Sequence, residues 1–287
     1  VSRIEKTGGQ GGAVAVETRG GRIRAHKATR ASTLMYVVFG ILLATTIYGV
    51  TMLSKDHVKV FQGVAVAFQS FGTMFLAPGA KHFTIFQALY DLAITLGLGV
   101  LTTVIGAAAA LVLGLFAAQN LSSRRVSTVI KSVMSVFRAV PTVLWVLIFA
   151  IGAGLGSVAA VIGMSFHSTS YLMKAYSESF EEIDRGVIEA LRASGASWIQ
   201  IVVQAVLPSS VNPILSWTFI RFEINFANAV AMGAAAGAGG IGYSLFWAGT
   251  YYYNLHEVGF ITYLILAVAI MLEYSATRMR TRFAVSK

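Results

Sequence analysis

The sequence predicts an all-α integral membrane protein with six transmembrane helices and both termini in the cytoplasm. Three observations predict it: a composition too apolar for a water-facing surface, apolar runs of bilayer length, and basic residues sorted onto alternate loops. Hydrophobic residues make up 56% of the 287 and charged residues only 12%, with a mean hydropathy of +0.72. A soluble domain of this length carries about twice as many charges. The chain has no cysteine, which excludes disulfides, thiolate metal sites, iron–sulfur clusters and a thiol nucleophile.

Crossing about 30 Å of hydrocarbon takes roughly 20 helical residues. Apolar runs of that kind lie at residues 34–53, 88–118, 132–150, 157–175, 206–232 and 258–277. The second and fifth are long enough to tilt or to extend beyond the bilayer. Of the 22 Lys and Arg, seventeen then fall on one side: the amino-terminal segment up to Arg30, Arg124 to Lys131, Lys174 to Arg192, and the stretch from Arg278 onward. Only Lys55, Lys59 and Lys81 fall on the other side, while Arg138 and Arg221 lie inside spans. The positive-inside rule therefore places both ends of a multi-pass protein in the cytoplasm. A basic soluble protein would not sort its charges this way.

Residues 1–33 are Gly-rich, basic and aperiodic, which reads as a disordered cytoplasmic tail ahead of a membrane domain at 34–287. A cleaved signal peptide is not expected, because the apolar run that follows is too long and lacks a small-residue cleavage pattern. Residues 58–76 are apolar but interrupted by Gln62, Gln69 and Gly72, and read as an interfacial helix on the outer face. A seventh crossing there would reverse every later loop and destroy the charge bias.

One loop is long. Residues 176–205 are polar with helical spacing. Ser179 and Glu182 have the form of a capping box that starts a helix at Phe180. Ser194 and Gly195 supply its stop, and Ser197 caps a second helix running toward Pro208. A DNA-reading helix-turn-helix would need a polar or basic second helix. Here that helix reads WIQIVVQAVL and the acidic Glu178, Glu181, Glu182, Asp184 and Glu189 outnumber Arg185 and Arg192, so a nucleic-acid partner is excluded.

Within this loop Glu189-Ala190-Leu191, then Gly195-Ala196, and finally Leu207-Pro208 resemble the EAA motif of ATP-binding-cassette (ABC) importer permeases. That pattern is Glu-Ala-Ala, a Gly six residues after the Glu, and an Ile-x-Leu-Pro ending. Leu191 replaces its second Ala, and Ala205 stands where Ile is usual. The resemblance covers most of the chain after residue 85. It is greatest to the phosphonate-type permeases, through RAVPTVLW at 138–145, RFEINFANA at 221–229 and GAGGIG at 237–242. A permease for methionine or another small solute is the alternative.

The resemblance implies a type I ABC importer permease fold, with residues 176–205 as the cytoplasmic coupling loop. It implies Glu189, Ala190, Gly195, Ala196, Leu207 and Pro208 at the contact with an ATPase. The implied partners are a second permease subunit, identical or homologous, two ATPase subunits, and a periplasmic or lipid-anchored substrate-binding protein. ATP and Mg belong to the ATPase. The chain has no Gly-x-x-x-x-Gly-Lys-Ser/Thr of its own, and Thr7-Gly-Gly-Gln10 is only part of a Gly-rich tail.

Charges inside spans are the remaining candidates. A charge at the bilayer centre costs roughly 2.5–3.5 kcal/mol even on the lenient scale, so Arg221 and Glu223 need partners, and Asn225 shares the face of Arg221 one turn away. Arg221 reads either as an oxyanion-facing donor on the pathway or as an interhelical lock with Asp91 or with Glu223 of the partner subunit. Arg138, three residues before Pro141, reads as a snorkelling or gate-stabilising residue on the same pathway. No catalytic set is expected: the five His lie singly, with no His-x-x-x-His pair for a metal. The two halves lack the repeat similarity of a secondary transporter.

Overall fold

The computed structural model describes residues 30–53 and 60–284. Most of the tail and the residues around Lys55 and Lys59 lie outside that range. By contacts the chain divides into two units, residues 1–68 and 69–287.

In the first unit, helix α1 (Arg30–Leu53) exposes nearly all of its large apolar side chains. Its Thr45 and Thr46 hydroxyls donate back to the carbonyls of Ile41 and Leu42, which satisfies those two donors within the helix. Helix α2 (Val60–Leu76) has 17 residues, short of a span. In the second unit its last turn meets α11 (Leu255–Ala284): Tyr263 Oη donates to the Phe75 carbonyl at 2.7 Å, and the backbone of Met74 lies against Gly259.

The rest of the second unit is a helical bundle built around α3 (Ile85–Ala117) and α6 (Ser157–Glu181). Thr84 caps α3 by accepting from the Gln87 amide. Along α3, Gly99, Gly106 and Gly114 face Phe226, Ser168 and Tyr176, at contacts so close that a Cβ on Gly106 would lie 2.7 Å from Ser168. Small residues let backbones approach, which is how helices adhere where lipid removes the hydrophobic drive. Five buried serines of α6 (165, 168, 170, 177 and 179) turn inward. They lower its hydropathy without exposing polar groups to lipid.

Among the described residues, four helices are long and apolar enough to cross a membrane by themselves: Ser32–Met52, Ile85–Ala117, Trp198–Ala236 and Leu255–Arg278. The run read as one span at 132–150 is instead two helices, α4 (Arg124–Ala139) and α5 (Thr142–Ala153), which pass the same test together but meet at 88°. Pro141 causes the break, by lacking an amide hydrogen and by driving Val140 to an extended conformation. Trp145 closes over it, stacking on Phe137 at 5.0 Å and donating its indole N–H to the Phe137 carbonyl. Six spans were expected from the sequence; α6, at 25 residues, falls outside these counts.

After α6 come α7 (Arg185–Ala193) and α8 (Trp198–Ile201), then a wide π turn (Val202–Val206) that leads without a break into α9 (Leu207–Ala236). Pro208, which has no N–H to continue the regular ladder, comes just after this wide turn. The capping box expected at Ser179 does not form. That serine is inside α6 and donates to the Ala175 carbonyl, and the next helix starts at Arg185, capped by Asp184.

Two ends can be distinguished. At the rim end, the segment before α3 is tied to the start of α11: Glu257 accepts from the amides of Lys81 and His82 and from His82 Nδ1. At the helix-pair end, Gln119 N and Lys131 Nζ both donate to Glu181 Oε1 at 2.8 Å. Lys81 and Tyr252 therefore share one end, and Ser123 and Glu182 the other.

The glycines at 237–242 make the last tight fold. Gly237, Gly239 and Gly240 have φ of +62°, +82° and +70°, and carry the chain back beside the end of α9 into α10 (Gly240–Phe246) and a second π turn (Trp247–Tyr251). A Cβ on Gly242 would lie 1.9 Å from the Val230 carbonyl oxygen. We expect Gly242→Val to destabilise the fold by at least about 1–3 kcal/mol, as overpacking against backbone does. A lower melting midpoint and loss of the monodisperse peak in size exclusion would register it.

Candidate functional site

The exposed helix pair at residues 184–201 is held from below. Ile188 is 2% exposed and enters the core formed by Leu121, Met134, Phe180, Ile201 and Val206. Arg192 Nη2 donates to the Asn120 carbonyl at 2.9 Å, and Trp198 donates its indole N–H to the Leu121 carbonyl while stacking on Phe116. These contacts fix both helices on the end of α3.

The turn between them follows the sequence expectation. α7 stops at Ser194, Gly195 takes φ +86°, and Ala196 N returns to the Leu191 carbonyl at 3.0 Å. Ser197 and Gln200 then form a reciprocal capping box that starts α8. Glu189 and Ala190 are exposed on the outer face of α7, and Glu189 makes no ion pair among the described residues. Beside it a cleft of about 240 Å³ is lined by Arg124, Arg185 and Arg192 with Gln119 and Asn120. An unpaired carboxylate rimmed by three guanidinium groups offers both signs of charge to a protein surface.

The structure divides the motif. Glu189, Ala190, Gly195 and the half-buried Ala196 gather at the turn, whereas Leu207 packs on the core and Pro208 is exposed at the start of α9. Sequence reasoning missed Asp184 as the cap and Glu181 as the carboxylate that joins α3, α4 and α6. The signal for Asp184 was legible: an Asp directly before a helical stretch.

A buried polar relay lies inside the bundle. Arg221, 2% exposed, donates through Nε to Ser168 Oγ at 3.1 Å. Ser168 donates to Asn225 Oδ1 at 2.9 Å, Asn225 Nδ2 donates to Thr103 Oγ1 at 2.9 Å, and Thr103 donates to the Gly99 carbonyl at 2.7 Å. Every link uses one donor and one acceptor, so three helices are joined with each neutral group satisfied. The guanidinium also lies over the Tyr171 ring at 5.2 Å, while its Nη2 has no acceptor among the described residues.

Asp91 is not the partner of Arg221, as the sequence allowed. It accepts from Ser244 Oγ at 2.5 Å, because α10 folds back against the first turns of α3. Glu223 is half-buried and has no polar partner among the described residues. Arg138 reaches the Ser170 carbonyl at 3.4 Å beside the Pro141 break. Of the histidines expected to lie singly, His82 pairs with Glu257 and stacks on Tyr252.

Asn225→Leu would leave Ser168 without its acceptor and Thr103 without its donor. We expect it to lower stability by about 1–3 kcal/mol, read as a fall in the thermal midpoint in detergent. Asn225→Gln, which keeps the amide, should lose less.

Residues 110–281 match the family model of binding-protein-dependent transport system inner membrane components. Among curated proteins, the "Phosphate-import permease protein PhnE" of Mycolicibacterium smegmatis is 29% identical over 85% of this chain, which spans 45% of that longer protein. The "Phosphite transport system permease protein PtxC" of Stutzerimonas stutzeri is 30% identical over 66% of this chain and 68% of its own length. Among solved structures, an inward-facing MetNI methionine ABC transporter chain superposes with a TM-score of 0.63 at 19% identity, covering 71% of this chain and 99% of that one.

Proposed function

We infer, since this chain belongs to the family of binding-protein-dependent transport system inner membrane components, that it forms the translocation pathway for a phosphorus oxyanion. As a member it is the membrane permease subunit of an ABC importer. Phosphonate is the solute class that RAVPTVLW and RFEINFANA suggest, and the phosphate and phosphite permeases among its relatives support the same chemistry. ATP hydrolysis falls to a separate ATPase, two copies of which would meet a permease dimer, with a substrate-binding protein delivering solute at the rim end.

The observation that carries the coupling role is the exposed, unpaired Glu189 on a helix that is itself fixed to the core by Ile188 and Arg192. Such a carboxylate can accept a charge-assisted hydrogen bond from an ATPase cleft, and the continuous helix from Trp198 to Ala236 passes a push at the turn into the bundle. Arg221, Asn225, Arg138 and Glu223 are the pathway candidates. Arg221 acts first as the lock between α6 and α9, and its buried Nη2 would reach an oxyanion only once those helices part. Methionine remains the second reading, because the fold is also that of the MetNI permease chain.

Coexpression with the ATPase tests this. Glu189→Lys should insert normally yet lose roughly tenfold or more in affinity for the ATPase, the worth of one charged hydrogen bond. Gly195→Val, strained at φ +86°, should fail in the same assay. Unchanged ATPase recovery in high salt with both variants would end the coupling role.

Six spans with cytoplasmic ends are tested by labelling. The chain has no cysteine, so single cysteines at 81, 252, 123 and 182 can be probed in intact cells with an impermeant maleimide. Positions 81 and 252 should label and 123 and 182 should not. Labelling at 182 from outside would put the helix pair beyond the reach of any cytoplasmic ATPase.

A further inference from the structure

At the rim end a cavity of about 530 Å³ opens between α3, α10 and the turn that follows it, walled by Phe83, Tyr243, Trp247 and Tyr252, with Gln87 and Asp91 among its polar groups. The rings do not form one flat stack. Of these walls, Trp247 meets Tyr243 at 73° and Tyr252 at 44°. Ring faces are therefore turned in several directions around one space.

Asp91 lies six residues inside α3. Its Oδ2 accepts from Ser244, and its Oδ1 receives no hydrogen bond from the described residues. Asp91 is half-buried and lines the cavity wall. The neighbouring charges are committed or lie elsewhere. Glu257, also on the wall, has both oxygens taken by Lys81 N, His82 N and His82 Nδ1. Lys81 lines an adjoining cleft with Tyr253 and His256.

Ring faces attract cations, and a carboxylate in a confined aromatic space does so more strongly. We propose that this cavity binds the ammonium group of a small organic solute, held between Asp91 and the aromatic walls. Its volume is that of a small-molecule pocket. The carboxylate sits more than a helical turn below the rim, which favours a free solute over a side chain presented by a docking protein. The site stands apart from the coupling role of the helix pair, and binding alone tests it.

Tetramethylammonium titrated into the full-length chain in detergent, followed by tryptophan fluorescence, should give a saturable change. Equal concentrations of NaCl, or of tert-butanol, its uncharged counterpart in shape, should not. Asp91→Asn keeps an acceptor for Ser244 and should raise the apparent Kd roughly tenfold or more, about 1.4 kcal/mol. If that variant does not fold, Tyr243→Ala on the facing wall takes its place with weakened binding expected. No saturable response in the wild type, or equal affinity in a folded Asp91→Asn, would overturn the proposal. Preferential binding of the tripeptide Gly-Lys-Gly would assign the cavity to a docking protein's side chain and overturn the solute reading.

Discussion

Apolar side chains in a bilayer gain nothing by leaving lipid for one another, so the closeness of backbones has to hold this bundle together. The contact between α3 and α6 meets that constraint. Gly106 and Gly114 admit Ser168 and Tyr176 to within a distance that any Cβ would deny or crowd. Once the two helices are that near, the hydroxyl of Ser168 can reach Asn225 and receive Arg221, and α9 is drawn into the same plane of contact. Gly163 repeats the device on the other side of α6, where the backbone of Val146 lies against it and brings in α5. Dispersion and internal hydrogen bonds then replace the hydrophobic effect as the source of cohesion.

Polarity is arranged accordingly. Serine and threonine hydroxyls within the helices mostly return to a carbonyl three or four residues back, as at Thr45, Thr103, Ser177 and Ser179. Charged groups collect at the two ends. Glu181 gathers the end of α3 and Lys131 at the helix-pair end, and Glu257 gathers the amides before α3 at the rim. Each carboxylate is buried or half-buried and satisfied from more than one direction, which is the condition under which such a group stabilises rather than costs.

What could be read in the sequence was what depends on local spacing or on sums over long segments. Apolar runs and charge bias gave the helical class, and Gly195 and Ser197 gave the turn, because a positive φ and a capping hydroxyl are decided within four residues. The capping box assigned to Ser179 had the right spacing. It failed because tertiary packing of Phe180 in the core extended α6 past it, and packing outweighs a cap. Pro141 was legible as a kink, but its 88° size and the Trp145 contact with Phe137 that accompanies it were not. The pairing of His82 with Glu257 joins residues 175 apart and no local pattern announces it. The split between exposed Glu189 and core-packed Leu207 was likewise hidden, since a motif in sequence does not reveal which of its members face the same way.

The stapling of residues 81–82 to Glu257 has a mechanical consequence. Because one carboxylate holds two backbone amides as well as a ring nitrogen, the start of α11 cannot part from the approach to α3 without breaking all three hydrogen bonds at once. The two helices therefore share a pivot at the rim and must tilt as one lever. The slack for any change of shape lies instead at the Pro141 elbow, where α5 is joined to α4 by an extended residue and an aromatic lid rather than by a continuous ladder of hydrogen bonds.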